Sequence, residues 1–325
     1  MRYVVLGAGA IGSAIGGRLH EHGHEVCLIA RGEHLEALRT RGLELRDPDR
    51  TVVLDVPVAA DPSSARIGED DVVVLATKTQ QSEAALLALA ATAPPFVPVV
   101  CAQNGVENER LALRRFKRVQ AMCVILPATH MEPGIVEIPV APVTGILDVG
   151  RYPSGTDDVS AEVARALSAS TFDARSDPNV MAAKYLKLLS NLANAIEAAL
   201  GSRTRSPGAR ELHDRAKTEA LACFAAAGIE VADDSADLER RRGLGRLRPV
   251  GGNERSGGSS FQSLARATGN IEADWLNGEI AYLGRLHGVP TPVNERLQLV
   301  ANQMAREGRA PGSLDEAELM DGLEG

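Results

Sequence analysis

The first thirty-one residues lay down a unit that leaves little choice of fold. An apolar run, Tyr3 to Leu6, meets Gly7-Ala8-Gly9-Ala10-Ile11-Gly12. A helix-compatible segment follows at once, and a second apolar run, Val26 to Ala30, ends on Arg31. Strand, glycine turn, helix and strand in that order is the setting in which a G-x-G-x-x-G pattern signifies dinucleotide binding. Gly7 permits the tight turn, Gly9 lets a pyrophosphate reach the backbone, and Gly12 lets helix and strand pack closely. Ala8, Ala10 and Ile11 complete the loop, and the free N–H groups and dipole of the new helix face the phosphates. A purely structural glycine-rich turn is the competing reading, and the flanking elements favour the nucleotide.

The end of the second strand bears on which nucleotide. An NAD site usually places Asp or Glu about 20 residues along, on the ribose 2′-hydroxyl. Ile29-Ala30-Arg31-Gly32 offers no carboxylate, and Arg31 lies 19 residues past Gly12. A guanidinium can grip a 2′-phosphate through two parallel hydrogen bonds, so NADP is favoured over NAD. The bland alternative is a solvated arginine at a strand end. Glu33 reads as a first-turn charge of the next helix.

Continuous apolar strands at 71–76, 97–102 and 119–126 alternate with helical segments at about 80–91 and 107–116, which implies a parallel sheet covered on both faces. Ligands of such sheets lie beyond the carboxyl ends of the strands, where Lys78 and Asn104 fall. A short helix is expected at 33–41, a hairpin where Leu43–Leu45 and Val52–Leu54 flank Asp47-Pro48-Asp49, added strands at 135–138 and 146–149, and a helix near 158–169. The texture changes near Ser176-Asp177-Pro178. Beyond it, helical patterns run at about 179–200, 207–227, 271–287 and 293–306. The expected class is therefore α/β, an N-terminal doubly wound parallel sheet of Rossmann type over 1–175 and a C-terminal all-helical domain over 176–325. The stretch from Asp237 to Ser259, rich in Arg, Gly and Ser, reads as a mobile loop, and the acidic end from Asp315 as a frayed tail or short helix.

With 325 residues there is chain enough for two cores. A net charge of −8 argues against nucleic acid as the main partner. Arg240, Arg241, Arg242, Arg246 and Arg248 then read as a solvated loop, or as a guide for an anionic substrate. No apolar run reaches membrane-span length, and the chain enters its first strand too soon to leave room for a signal peptide. Cys27, Cys101, Cys123 and Cys223 lack C-x-x-C spacing and read as buried free thiols of a reducing compartment, which makes the cytoplasm the expected location. His20, His22 and His24 lack a convincing ligand set, so no metal is expected. The apolar positions of the C-terminal helices suit either an internal core or a homodimer.

The second half offers a polar stripe on an otherwise apolar helix. Lys187, Asn191 and Asn194 stand at i, i+4 and i+7, on one face, among Leu188, Leu189, Leu192 and Ile196. Each buried polar group without a partner costs about 1–3 kcal/mol, so the stripe meets either a substrate or a hydrogen-bonded seam between domains. Further on, Gly257-Gly258-Ser259-Ser260 suits a small anion or a plain Ser N-cap, and Glu272 suits a ligand or an ordinary first-turn carboxylate.

Taken together these features resemble the ketopantoate reductase (2-dehydropantoate 2-reductase) family. GAGAIG at 7–12, Lys78 after the fourth strand, QNGVEN at 103–108 and the Lys187-x-x-x-Asn191 helix carry the likeness. So do Ser259-Ser260 with Glu272, and NGEI…GRLHGVPTPVN over 277–294. The motifs keep the family's order from residue 1 to about 305. The resemblance implies a Rossmann domain joined to a helical domain, an active site in the cleft between them, and NADPH-dependent reduction of a small 2-oxo acid. By position, Lys187 resembles the catalytic lysine, and Asn191, Asn194 and Ser260 the substrate-binding groups. Gly7, Gly9, Gly12, Arg31 and Lys78 resemble cofactor-side residues, while Asn104 and Glu272 serve both sides.

Lys187 is then the expected general acid, its ammonium stabilising charge on the keto oxygen and supplying the proton. Lys184 and His130 are its rivals. The chain departs from the family pattern at Tyr185, where Trp is common, and at Asn194, three rather than four residues after Asn191. It departs again where the SxLQD pattern appears as Ser260-Phe261-Gln262-Ser263-Leu264, without the aspartate. These changes bear on which 2-oxo acid is reduced. Two alternatives stay open: a reductase of another branched or polyhydroxylated 2-oxo acid, and a non-catalytic NADP-sensing protein.

Overall fold

In the computed structural model, residues 1–244, 246–252, 257–267 and 269–323 are described. The chain folds as two compact units: Met1–Lys184 with Asp233–Arg255, and Tyr185–Ala232 with Ser256–Gly325.

The first unit is built from β1 (Arg2–Leu6), α1 (Ala10–Glu21), β2 (Val26–Ile29), α2 (Gly32–Arg41), β3 (Leu43–Arg46), β4 (Thr51–Leu54), β5 (Val58–Ala59) and α3 (Pro62–Ala65). It continues through β6 (Asp71–Leu75), α4 (Thr79–Ala90), β7 (Val99–Cys101), α5 (Asn108–Leu113), β8 (Val119–Ile125), β9 (Ile135–Glu137), β10 (Gly145–Arg151), α6 (Asp158–Ser168) and β11 (Phe172–Asp173). Among the described residues the main sheet has eight strands in the order β11-β10-β8-β7-β6-β1-β2-β5, parallel except where β10 runs against β8. The doubly wound sheet predicted from the apolar strands is thus observed.

Alternation along each strand explains why both faces had to be covered. Tyr3, Val5, Val72, Val74, Val100 and Met122 pack to one side with Ile15 and Leu19 of α1 and Val163 of α6. Val4, Leu6, Val73, Leu75, Val99 and Cys101 pack to the other with Leu86 and Leu89 of α4 and Ala112 of α5. Each aliphatic side chain fully buried in this way contributes about 1.5–3 kcal/mol.

The expected hairpin forms as β3 and β4, but it stands in a separate sheet, where β3 also pairs in parallel with β9. Of the two expected added strands, the first therefore extends this small sheet and the second, β10, the large one. Arg18 on α1, only 2% exposed, ties in the hairpin through Asp47 at 2.6 Å and is itself held by Glu21 at 2.7 Å.

The second unit follows from α7 (Val180–Asn191), whose first turns still belong to the first unit. It holds α8 (Ala193–Leu200) and α9 (Pro207–Ala227). Next in chain order comes α10 (Asp234–Gly243), which rejoins the first unit. α11 (Ser259–Ala265), α12 (Asn277–His287), α13 (Pro292–Glu307) and α14 (Glu316–Met320) complete the second unit, with 3-10 turns at Gly201–Arg205 and Glu272–Trp275. The expected helix at 179–200 is interrupted at Leu192, whose carbonyl accepts a hydrogen bond from buried Asn277 Nδ2 at 3.3 Å. Likewise 271–287 is a 3-10 turn and then α12, because Leu276 leaves the helical region at φ −116° and ψ −87°. Glu219 on α9 caps α13 by accepting from the N–H groups of Val293 and Asn294. The acidic end resolves into α14, started by a capping box at Asp315.

The expected mobile loop at 237–259 is a correction. Residues 245 and 253–256 lie outside the described residues, but the span opens within α10. Arg240 there forks onto Asp148 and Asp173 of β10 and β11, donating at 2.5–3.0 Å. Arg248 pairs with Asp49 at 2.8 Å. The supposedly solvated arginines thus include two that tie this segment to the first unit. That is why the first unit is discontinuous along the chain, where the sequence suggested one boundary at 175/176.

Candidate active site

The nucleotide end of the site follows from backbone sterics in the first unit. Gly7 sits at φ +107°, and a Cβ there would lie 2.8 Å from Thr77 N. A Cβ at Gly12 would run into the Gly7 carbonyl, so α1 can lie this close to β1 only with glycine there. Ser13 Oγ donates to the Ala8 carbonyl at 2.9 Å and holds the loop from inside. Gly9, by contrast, looks onto open space, with nothing within 4 Å of where its Cβ would be. It is also the N-cap of α1, and no side chain caps that helix. The first-turn N–H groups, Ala10 to Gly12, have no intrahelical acceptor to satisfy them. Room and donors at one place fit a pyrophosphate.

Arg31 is the N-cap residue of α2, directly after β2, and exposed. Its guanidinium makes no hydrogen bond or ion pair with another described residue. That matches a group reserved for a phosphate. Lys78, half-buried, is the N-cap residue of α4 beyond β6, and Asn104 follows β7 just before Gly105 at φ +75°. Both occupy the carboxyl edge of the sheet, as read from the sequence.

Beneath them lies a polar cluster that the sequence did not single out. Ser82 Oγ donates to Asn108 Oδ1 at 2.7 Å, and Gln103 Nε2 donates to Ser82 Oγ at 3.0 Å. Asn108 Nδ2 donates to Thr79 Oγ1 at 3.1 Å. The available signal was polar residues at both ends of QNGVEN between apolar segments. His34 of α2 also escaped notice. Its Nδ1 accepts from Gly134 N at 2.9 Å and its ring lies 4.3 Å from that of His130. Burial, reinforced by the neighbouring His130, lowers its pKa to about 4. His130 itself contacts the Ile135 carbonyl through Nδ1 at 3.1 Å.

In the second unit, Lys187 Nζ donates to Asn191 Oδ1 at 3.1 Å, one turn further along α7. Asn191 is 5% exposed, and its Nδ2 is buried with no hydrogen-bond partner among the described residues. A dry amide donor left open beside an amine is the arrangement an oxygen-bearing ligand would complete. Asn194 is not on the same continuous helix, as the spacing had suggested. It lies past the interruption at Leu192, on α8, 3.9 Å from the Cβ position of Gly258. Gly258 N donates to Glu197 Oε2 at 2.9 Å, and α11 packs against α8. Gly258, not a serine, is the N-cap of α11, which leaves Ser260 buried and free of a capping role. Glu272 is buried at the start of its 3-10 turn, which packs against α12 and α13. Tyr185, in the place of the family's tryptophan, packs edge-on against Phe224 at 5.2 Å.

Lys184, a rival for the acid, is 3% exposed and paired at 2.7 Å with Glu109, within the first unit. Its amine is already committed.

Comparison with known proteins agrees with this geometry. Residues 3–153 match the ketopantoate reductase PanE/ApbA family and residues 179–305 the C-terminal part of the same family. A 2-dehydropantoate 2-reductase of Halobacterium salinarum is 28% identical over 95% of this chain and 100% of its own length. The crystal structure of a PanE/ApbA family ketopantoate reductase from Ralstonia eutropha JMP134 superposes with a TM-score of 0.80 at 29% identity, over 95% of this chain and 100% of that one. D-mandelate dehydrogenase in a ternary structure with NADH and anilino(oxo)acetate superposes with a TM-score of 0.81 at 22% identity, covering 95% of this chain and 100% of its own, and shares the fold. With the two matched regions spanning most of the sequence, the chain belongs to the ketopantoate reductase PanE/ApbA family.

Proposed function

We propose that this chain reduces 2-dehydropantoate to pantoate with NADPH, a step of pantothenate biosynthesis. The observation that carries the reading is the Lys187–Asn191 pair, with its open amide donor, in a chain that keeps an open, uncapped glycine turn. The turn at 7–12, Arg31 and Lys78 would hold the dinucleotide, with Asn104 and Glu272 bordering both ligands. When bound, NADPH supplies the hydride that reduces the 2-oxo carbon. Lys187 Nζ then stabilises the negative charge that develops on the keto oxygen and delivers its proton there. Asn191 Oδ1 orients that amine, while its Nδ2, with the Asn194 amide, holds substrate oxygens. Ser260 takes the carboxylate. Glu272 accepts a substrate hydroxyl or orients Lys187.

The changes at Tyr185, Asn194 and Ser263 give a second reading its footing: the same chemistry on another branched or polyhydroxylated 2-oxo acid. Turnover of NADPH and NADH against 2-dehydropantoate and a panel of such acids tests both. Highest kcat/KM for 2-dehydropantoate with NADPH upholds the first reading, and a better acid elsewhere in the panel selects the second. Tight NADPH binding with no oxidation by any of them would overturn both and leave a nucleotide sensor. A cytoplasmic location and a homodimer belong to the same proposal, the latter testable by light scattering.

A further inference from the structure

Among the buried ionic pairs that the mechanism leaves unused, one stands at the carboxyl edge of the sheet. Lys184 Nζ lies 2.7 Å from Glu109 Oε1, with side chains 2% and 0% exposed, and donates to the carbonyls of Gln103 at 3.0 Å and Met122 at 3.3 Å. The ammonium hydrogen-bonds the two carbonyls, while the Glu109 carboxylate, whose oxygens accept no hydrogen bond among the described residues, neutralises it at ion-pair distance. Dry pairs of this kind are poor sources of stability, because apolar residues of similar volume often replace them at no loss. What an apolar pair could not do is grip a carbonyl. The carboxylate and the two carbonyls come from α5, from β8, and from the turn after β7, so the amine ties those elements together at the carboxyl edge of the sheet.

The Gln103 carbonyl belongs to the peptide that leads into Asn104. On either side, the Gln103 side chain is anchored by its Nε2 on Ser82, and the next peptide by Asn108 Nδ2 on the Asn104 carbonyl at 3.5 Å. Gly105 at φ +75° then turns the chain away. These side-chain grips help to orient the Asn104 turn.

We propose that the Lys184–Glu109 pair is a positioning device for the Asn104 turn, and through it for dinucleotide binding at the carboxyl edge of β7. The inference rests on the reading that Asn104 borders the cofactor. Lys184 acts through Asn104 and touches no reacting atom.

The test needs no substrate, so it stands apart from the role of Lys187. NADPH affinity is measured by nicotinamide fluorescence, beside thermal melts, in the parent, N104A, the double variant K184M/E109M and the triple variant. The double variant removes both charges together and keeps its melting point close to the parent's. Its Kd for NADPH rises about tenfold, as does that of N104A, while the triple variant is no weaker than either. That non-additivity is what a merely structural pair would not produce. Parent affinity in the double variant, an unaltered N104A, or a triple variant in which the two losses add would each overturn the proposal. Should the double variant fail to fold, K184R replaces it. That change keeps the charge balance with Glu109 but moves the donors relative to the Gln103 carbonyl, so weakened binding in a folded protein supports the proposal and parent affinity overturns it. A parent that does not bind NADPH would instead refute the cofactor reading itself.

Discussion

Replacing Lys187 by methionine keeps the side chain's length and removes only the amine. The static loss includes one hydrogen bond of 3.1 Å to Asn191 Oδ1 from a half-buried side chain. Such a bond contributes about 1 kcal/mol net, and the buried amide left without it adds about 1 kcal/mol more. Two such losses lower the melting point by about 3 °C, well short of unfolding the protein at assay temperature. The kinetic loss is of another order. A positioned general acid supplies roughly 10²–10⁴-fold in rate. At about 1.36 kcal/mol per decade that is about 3–5 kcal/mol of barrier, present only as charge builds on the keto oxygen. Steady-state NADPH oxidation should therefore show kcat down by two to four decades, roughly the range for a lost acid. NADPH affinity, read by fluorescence, should hold, because the glycine turn and Arg31 belong to the first unit. A kcat close to the parent's, or a loss of NADPH binding as large as the loss of kcat, would refute the assignment.

Arg31→Ala should lower kcat/KM for NADPH by about 10–100-fold, the loss of charged hydrogen bonds to a 2′-phosphate, while leaving NADH unchanged. An equal fall for both cofactors would show that Arg31 does not read that phosphate. Arg240→Ala leaves buried Asp148 and neighbouring Asp173 without their shared cation, at a cost of about 3 kcal/mol, to be read as a lower melting temperature. Burial already raises the Asp148 pKa despite Arg240, so the deficit should shrink as the pH falls and Asp148 protonates. For His34 the native pKa of about 4 lies below the ordinary histidine value of 6.5, so the unfolded state binds more protons between those values. Stability should then fall as the pH drops through that window, by about 1–2 kcal/mol once partial exposure is discounted. Melts of His34→Leu that keep the parent's full acid sensitivity would assign that loss elsewhere.

Much of the fold could be read from local pattern. The strands at 2–6, 71–75 and 119–125 are continuous apolar runs, and burial on both faces is what such runs require. The glycine turn was legible because its flanking strand and helix are local and a Cβ at Gly12 would meet the Gly7 carbonyl, although the atoms that crowd Gly7 come from Ala76 and Thr77 on a later strand end. α10 was not legible, since its composition is polar and its anchor, Arg240, finds carboxylates 92 and 67 residues away. The interruption at Leu192 was hidden for the same reason: the side chain that takes its carbonyl, Asn277, arrives from 85 residues further on. At the site, spacing paired Lys187 with Asn191 because one helical turn joins them, while Asn194 lies just past the interruption at Leu192, on α8.

Periodicity and the glycine turn, each read over a handful of neighbouring positions, together with the order of the motifs along the chain, thus sufficed to name the architecture and to nominate the residues. Which of two lysines three residues apart is locked in a dry ion pair was beyond their reach. Lys184 meets Glu109 and the Gln103 carbonyl, while Lys187 reaches along its own helix to Asn191, and nothing within either lysine's local sequence encodes that difference. Hydrogen-bond partners for a buried charge must be gathered from distant segments, so only chain folding in three dimensions allots them.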